Sequence, residues 1–250
     1  MSASNPASSF IEVARDTGIE IIERDGAVLW AGPRGGNIKP VGPLAGKKVA
    51  CLVASEFSDF QAYYVASYIG EFGGELELIT VDQVTWKLTR PNIRGKGVQG
   101  MWGLSIDPIP VMGGDKASRH RNIEKAVPGD YDAVIIIGGH SGDIMSTERT
   151  VLDFLRAAHT GGAVVGGIGG GIIPMISSGI IRGRECTGNA QVSFILKKIA
   201  RFTGSRCVMD GRILTAQETV DTPAFVRALC GYFDPGFTDR RARVRSSRFV

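Results

Sequence analysis

Sulfur is sparse in this sequence, with four cysteines and six methionines. The four cysteines, Cys51, Cys186, Cys207 and Cys230, are scattered, and no two form a C-x-x-C pair. That removes the usual pattern for a zinc centre or a dithiol redox site, and no metal is expected. A chain of 250 residues has core enough to do without structural disulfides. Histidine is scarcer still, with three in all. No apolar run approaches the roughly 20 residues that span a bilayer, so no membrane association is expected. Residues Met1 to Phe10 lack a basic start and a long apolar region, so no secretory signal is expected and a cytoplasmic location follows by default. There is no G-x-G-x-x-G after the first strand, which argues against a nicotinamide cofactor; no cofactor is expected.

Charge is present but uneven. The tail from Asp239 to Val250 carries five arginines and one aspartate, so the whole net charge of +4 resides there. A basic tail could touch nucleic acid. The rest of the chain offers no nucleic-acid module, so the sequence favours a solvated tail or a subunit-contact arm.

Hydrophobic periodicity organises the remainder. Residues 1–46 read as an extension, in which Ile19–Ile22 and Ala27–Trp30 flank a hairpin signal at Arg24-Asp25-Gly26. Residues 47–235 read as one domain, and 236–250 as the basic tail. Lys47 to Ala54 is a continuous apolar run, typical of a parallel strand buried on both faces. Asp59 to Phe72 has helical spacing and stops at Gly73-Gly74. Further strands are expected at 76–81, 132–139, 163–168, 206–209 and 213–216. Helices are expected at 151–159, 172–178, 190–203 and 222–232. The alternation predicts an α/β fold with a doubly wound parallel sheet whose loops gather along one ligand-binding edge. An insertion at 82–130 interrupts it, holding Trp86, Met101, Trp102 and Met112, with eight basic residues against three acids between Gln83 and Gly129. A cover over the pocket and an oligomer contact are both open for it.

The segment Val164-Val-Gly-Gly-Ile-Gly-Gly-Gly-Ile-Ile-Pro174 is the most telling. A strand enters a tight glycine turn and a helix leaves it, a place where many α/β enzymes carry a nucleophile. Gly169, Gly170 and Gly171 have no side chain to attack with. The glycines from 166 to 171 can let strand and helix pack closely, or leave N–H groups facing an anion or carbonyl oxygen across an enlarged pocket, and both readings can hold together. The second reading is favoured.

Three segments in this order resemble the ThiJ/PfpI superfamily, which shares the class I glutamine amidotransferase-like fold. They are Lys48-Val-Ala-Cys-Leu-Val-Ala-Ser-Glu-Phe-Ser-Asp59, Asp130-Tyr-Asp-Ala-Val-Ile-Ile-Ile-Gly-Gly139, and Gly162 to Gly188 with Ser178-Gly-Ile-Ile-Arg-Gly-Arg184. A weaker match runs from Thr215 to Pro223. The resemblance implies a flavodoxin-like three-layer sandwich, with the N-terminal extension and the long insertion after the second core strand as departures. It also implies a homodimer or higher homo-oligomer, and a catalytic cysteine at the strand-to-helix elbow. That cysteine position falls on Gly169, the histidine beside it on Gly170, and the acid that tunes it on Ser58. The family's cysteine chemistry and glutamine amide transfer are therefore not expected.

Other groups remain on the expected ligand edge. Gly138-Gly-His-Ser-Gly-Asp143 follows the third strand; the resemblance implies a backbone N–H towards an oxyanion there and makes Asp143 an acidic position. His140 reads equally as an acid/base group or as a satisfied loop histidine. Gly139 and Ser141 join Gly169–Gly171 as ligand-binding candidates. Glu56 and Asp59 could act as bases, although Asp59 reads better as a helix cap. Cys186 is a candidate relocated nucleophile and ligand contact, with burial as the commoner fate. Trp102 is either an aromatic wall for substrate or an anchor for the insertion. The expected function is a cofactor-independent enzyme using His140 with Glu56, Asp59 or Asp143 on a small carbonyl- or carboxylate-containing substrate, by hydrolysis, hydration or dehydration, or isomerisation. The alternative is a non-catalytic ligand-binding or regulatory protein on the same scaffold.

Overall fold

The computed structural model describes residues 19–24, 27–33, 42–81, 98–101, 105–106 and 120–238. The chain forms two compact units, Met1–Lys39 and Pro40–Val250, where the sequence suggested a boundary near residue 46. In the first, β1 (Ile19–Arg24) and β2 (Ala27–Pro33) pair antiparallel, as the hairpin signal predicts.

The second unit is built around central strands that are buried along nearly their whole length. In chain order come β3 (Lys48–Val53), α1 (Asp59–Glu71) and β4 (Glu75–Thr80), then the short strands β5 (Val98–Gln99), β6 (Ser105–Ile106) and β7 (His120–Asn122). They are followed by β8 (Ala133–Ile136), α2 (Ser141–Met145), α3 (Arg149–Thr160), β9 (Val164–Ile168) and α4 (Ile172–Ser178). Last come β10 (Glu185–Cys186), α5 (Ala190–Ile199), β11 (Arg201–Phe202), β12 (Cys207–Asp210), β13 (Ile213–Ala216) and α6 (Thr222–Phe233).

Seven strands form one sheet in the order β12-β13-β9-β8-β3-β4-β7. All neighbours run parallel except β12 with β13. The five central strands, β4-β3-β8-β9-β13, follow the flavodoxin-like 2-1-3-4-5 order. Alternating residues feed two cores. Ala50, Leu52, Val134 and Ile136 pack with Phe154 and Leu155 of α3, Met175 of α4 and Leu196 of α5. Val49, Cys51, Val53, Ile135 and Leu214 pack with Val65 and Ile69 of α1 and Phe225 and Leu229 of α6. Continuous apolar runs such as Val49–Val53 follow from this, because both faces of the strand are covered.

The order reverses between β3 and β8. Right-handed crossovers send α1 to one face and α3 to the other, which opens a crevice beyond the carboxyl ends of those two strands. One piece of the insertion extends the sheet: β7 pairs parallel with β4. The 239–250 tail, Trp86, Trp102 and Met112 lie outside the described residues.

Candidate functional site

Three loops meet at the carboxyl ends of β3, β8 and β9. The loop after β3 turns sharply at Glu56, a non-glycine residue with φ of 62°. Its neighbour Phe57 is fully buried and is bridged on one side to Gly100 and on the other to Gly139. Four backbone hydrogen bonds stitch the loops together. Glu56 N donates to Gln99 O and Met101 N to Phe57 O, while Ser58 N donates to Gly138 O and Ser141 N to Glu56 O. Residues 98–101 of the insertion therefore run beside the first loop at this edge.

The glycine turn is a 3₁₀ turn, Gly169–Gly171, leading into α4. Its three residues differ physically. A Cβ on Gly170 would lie 2.5 Å from Gly139 O, and one on Gly171 would collide with Ile136 O. Here the glycines serve close backbone packing, and the enlarged pocket expected at 170 and 171 is filled by carbonyl groups. Gly169 is different. It has φ of 56°, and a Cβ there would meet only ordinary contacts: Gln217 O at 3.4 Å, Gln61 Nε2 at 3.6 Å and Asn189 Nδ2 at 3.8 Å.

All three neighbours are neutral polar groups. Gln61 is buried in α1. Its Oε1 accepts from Gly138 N at 2.8 Å and its Nε2 donates to Thr219 Oγ1 at 3.0 Å. Gln217 Nε2 donates to Thr187 Oγ1 and to the carbonyls of Gly204 and Ser205. Thr187 N in turn donates to Thr215 Oγ1. Asn189 is the N-cap of α5, yet its side chain caps nothing, and its buried Oδ1 has no hydrogen-bond partner among the described residues.

Several expected assignments change. Ser58 is the N-cap of α1, accepting from Gln61 N, so Asp59 is a first-turn residue and not the cap. Asp59 is buried with its carboxylate against Gly100, where the helix N-terminus favours negative charge. Ser58 does not take the acid's place opposite the elbow; Gln61 faces Gly169. The Ser141 hydroxyl is buried and donates to Ile137 O and Gly138 O, so it completes its own turn and does not face a ligand. Cys186 is fully buried in the core. Burial, followed by Asp210 and Glu185, pushes its thiol up to about 11, the opposite of what a nucleophile needs. His140 and Asp143 do come together, with Nδ1 and Oδ2 3.8 Å apart, and both side chains are more than half exposed.

Gln61 and Asn189 were not among the sequence candidates. A signal existed for the first. Residues 61, 65 and 69 share one helix face, and Gln61 is the polar member of an otherwise apolar buried stripe. Asn189 reads in sequence as an ordinary helix cap, which hides it.

A mostly parallel sheet in 2-1-3-4-5 order, with a glycine elbow beside its switch point, defines a flavodoxin-like α/β sandwich with its site at the carboxyl edge. Within that class the chain belongs to the DJ-1/PfpI family, whose model matches residues 47–231. Protein/nucleic acid deglycase 2 of Escherichia coli K12 is 28% identical over 183 residues, covering 72% of this chain and 94% of that protein. A deglycase from Pyrococcus horikoshii is 22% identical over 181 residues, 72% of this chain and 95% of its own. Solved structures share the fold. DJ-1 of Schizosaccharomyces pombe aligns with a TM-score of 0.60 at 16% identity, over 81% of this chain and 100% of that one. A two-domain protein of Anabaena variabilis with DJ-1/ThiJ/PfpI-like and ferritin-like domains gives 0.63 at 22%, over 77% of this chain; the chain spans about half, 51%, of that protein. No helix among the described residues is long and apolar enough to cross a membrane.

Proposed function

We propose that this chain is a cofactor-independent enzyme that works on a small carbonyl- or carboxylate-containing substrate at the Gly169 elbow, without a cysteine nucleophile. The observation that supports it is the left-handed Gly169 at the end of β9, ringed by amide and carbonyl groups, while the described cysteines lie in strands and in α6. Relatives named as deglycases, matched over more than nine-tenths of their length, support an enzymatic role. In this reading the substrate carbonyl rests against the N–H groups of the glycine turn, which stabilise developing negative charge. His140, paired with Asp143, transfers the proton, and Glu56 is the alternative base. The reaction is a hydrolysis, a hydration or dehydration, or an isomerisation. The working form is a homodimer or higher homo-oligomer, and sedimentation velocity tests that part. A soluble, cytoplasmic setting completes the proposal.

A second reading, a non-catalytic binding protein, draws on the exposure of His140 and the neutral lining of the elbow. Incubating the protein with a panel of small α-oxoaldehydes, hydroxy acids and amides, followed by proton NMR, separates the two. Turnover that falls about 10²-fold or more in His140→Ala supports the enzyme. Ligand-induced shifts of the Gly169–Gly171 amides without turnover support the binding protein, and neither signal sinks both.

A further inference from the structure

At the edge of the sheet opposite the elbow, the amino ends of β9 and β13 gather positive charge. Only Gly211 and Arg212 separate the antiparallel strands β12 and β13. A two-residue hairpin with glycine first is the type II′ pattern, and Gly211 has the positive φ, 59°, that it requires. The turn fixes Arg212, whose carbonyl accepts from Val165 N at 2.8 Å. Its Nη1 lies 3.7 Å from the place a Cβ on Gly162 would occupy, in the turn between α3 and β9. Arg184, just before β10, reaches the same hairpin, its Nη1 3.9 Å from the place a Cβ on Gly211 would occupy.

Neither guanidinium has a carboxylate in ion-pair range among the described residues. Asp210, the acid at the hairpin, is already engaged, its Oδ2 accepting from Glu185 N at 2.7 Å and from Arg201 Nη2 at 3.3 Å. Glu185 is exposed. The half-buried His159, in the last turn of α3, completes the cluster. Burial, then the charges of Arg212 and Arg184, lower its pKa, so the three groups share one field. Like charges held together repel, and an anion between them turns that repulsion into attraction. The C-terminus of α3 opposes an anion with roughly half a negative charge, which two full positive charges outweigh. Two guanidinium forks call for an anion with oxygens for both. A carboxylate or a phosphate diester offers two free oxygens and one charge, whereas a phosphate monoester offers three oxygens and nearly two charges.

We propose that Arg184 and Arg212 bind a phosphate dianion at the β12–β13 hairpin, either the free ion or the terminal group of a small phosphate monoester, with His159 beside it. The site is separate from the elbow and does not rest on it. Calorimetric titration at about pH 7.5 in low salt tests it with inorganic phosphate, phenyl phosphate, dimethyl phosphate and acetate. One site is expected for the first two, at least about tenfold tighter than for dimethyl phosphate or acetate. Tighter phenyl phosphate assigns the site to an organic monoester, and tighter inorganic phosphate to the free ion. Arg184→Gln and Arg212→Gln should each weaken binding by about tenfold, while Arg149→Gln, at the other end of α3, should not. In the parent protein, bound phosphate should also move the NMR titration of His159 to higher pH, because it offsets both guanidiniums. Dimethyl phosphate binding as tightly as phenyl phosphate, arginine variants that bind like the parent, or a His159 titration that phosphate leaves in place would each overturn the assignment.

Discussion

The carbonyl oxygen of Gly139 stands 2.5 Å from the point where a side chain on Gly170 would begin. The loop after β8 and the turn after β9 are thus in direct backbone contact. A like contact recurs three residues on, at the start of α2, where a Cβ on Gly142 would strike Gly170 O. Any residue larger than glycine at 170 has to push the two loops apart.

Gly170→Ala is therefore expected to cost at least about 2 kcal/mol, since neither partner is a flexible side-chain end. Gly169→Ala meets ordinary contacts, and its penalty of about 1–2 kcal/mol comes from the left-handed φ alone. Urea denaturation of both variants checks the order. A Gly170→Ala protein as stable as Gly169→Ala would mean that the loops separate freely.

The cysteines are expected to be inert in the folded protein. Burial pushes Cys51 up to about 12, and burial with nearby carboxylates pushes Cys186 and Cys207 up to about 11. Near neutral pH their thiolate fraction is on the order of one in a thousand or less. Cys230 is fully buried. Intact-mass measurement after iodoacetamide should show no adduct until denaturant is added. Rapid labelling of Cys186 in the native state would restore it as a nucleophile.

Much of the fold was legible because burial writes itself into apolar patterns. Val49–Val53, Ala133–Ile136 and Val164–Ile168 are buried throughout, and their runs announce parallel strands. The hairpin and α4 were equally plain. The strand β7 was not, since His120–Asn122 is a short edge strand inside a charged segment. The site was less legible than the fold. His140 and Asp143 attract notice because they titrate, whereas the residues facing Gly169 are amides and a main-chain carbonyl. Gln61 and Asn189 carry no charge, and only the apolar stripe around Gln61 on its helix hints at either. Their importance lies in what the folded backbone brings against them, a glycine turn more than a hundred residues from Gln61 in sequence.

His159 gives the stability a pH dependence. It lies in the last turn of α3, where the helix C-terminus would favour imidazolium. Burial and then the positive charges of Arg212 and Arg184 outweigh that and lower its pKa from 6.5. The unfolded chain therefore takes up a proton first as pH falls. The contribution to stability is full above about pH 6.5 and is lost below it. Partial exposure keeps the effect modest. Between about pH 7.5 and about pH 5.5 the parent protein should lose more stability than His159→Gln. Equal losses in urea titrations would remove His159 from the account.

Gln61 is expected to be the clamp that holds the loop after β8 against the segment before α6. Its amide joins Gly138 N to Thr219 Oγ1, two points far apart in sequence. Gln61→Leu has similar volume but leaves a buried N–H without an acceptor, at a cost of about 2–3 kcal/mol. Gln61→Glu keeps an acceptor for Gly138 N, and the Thr219 hydroxyl can turn to donate to the other oxygen. That variant should be the more stable of the two, and its stability should depend on pH. Desolvation raises a buried carboxyl's pKa above its unfolded value. The folded state then holds its proton longer, so the contribution is full below about pH 4.3 and declines as pH rises through the raised folded pKa. Chemical denaturation of both variants at two pH values reads this directly. If Gln61→Glu shows no pH slope and matches Gln61→Leu, the Gly138 N–H finds water instead, and the two loops are held by their glycine contacts alone.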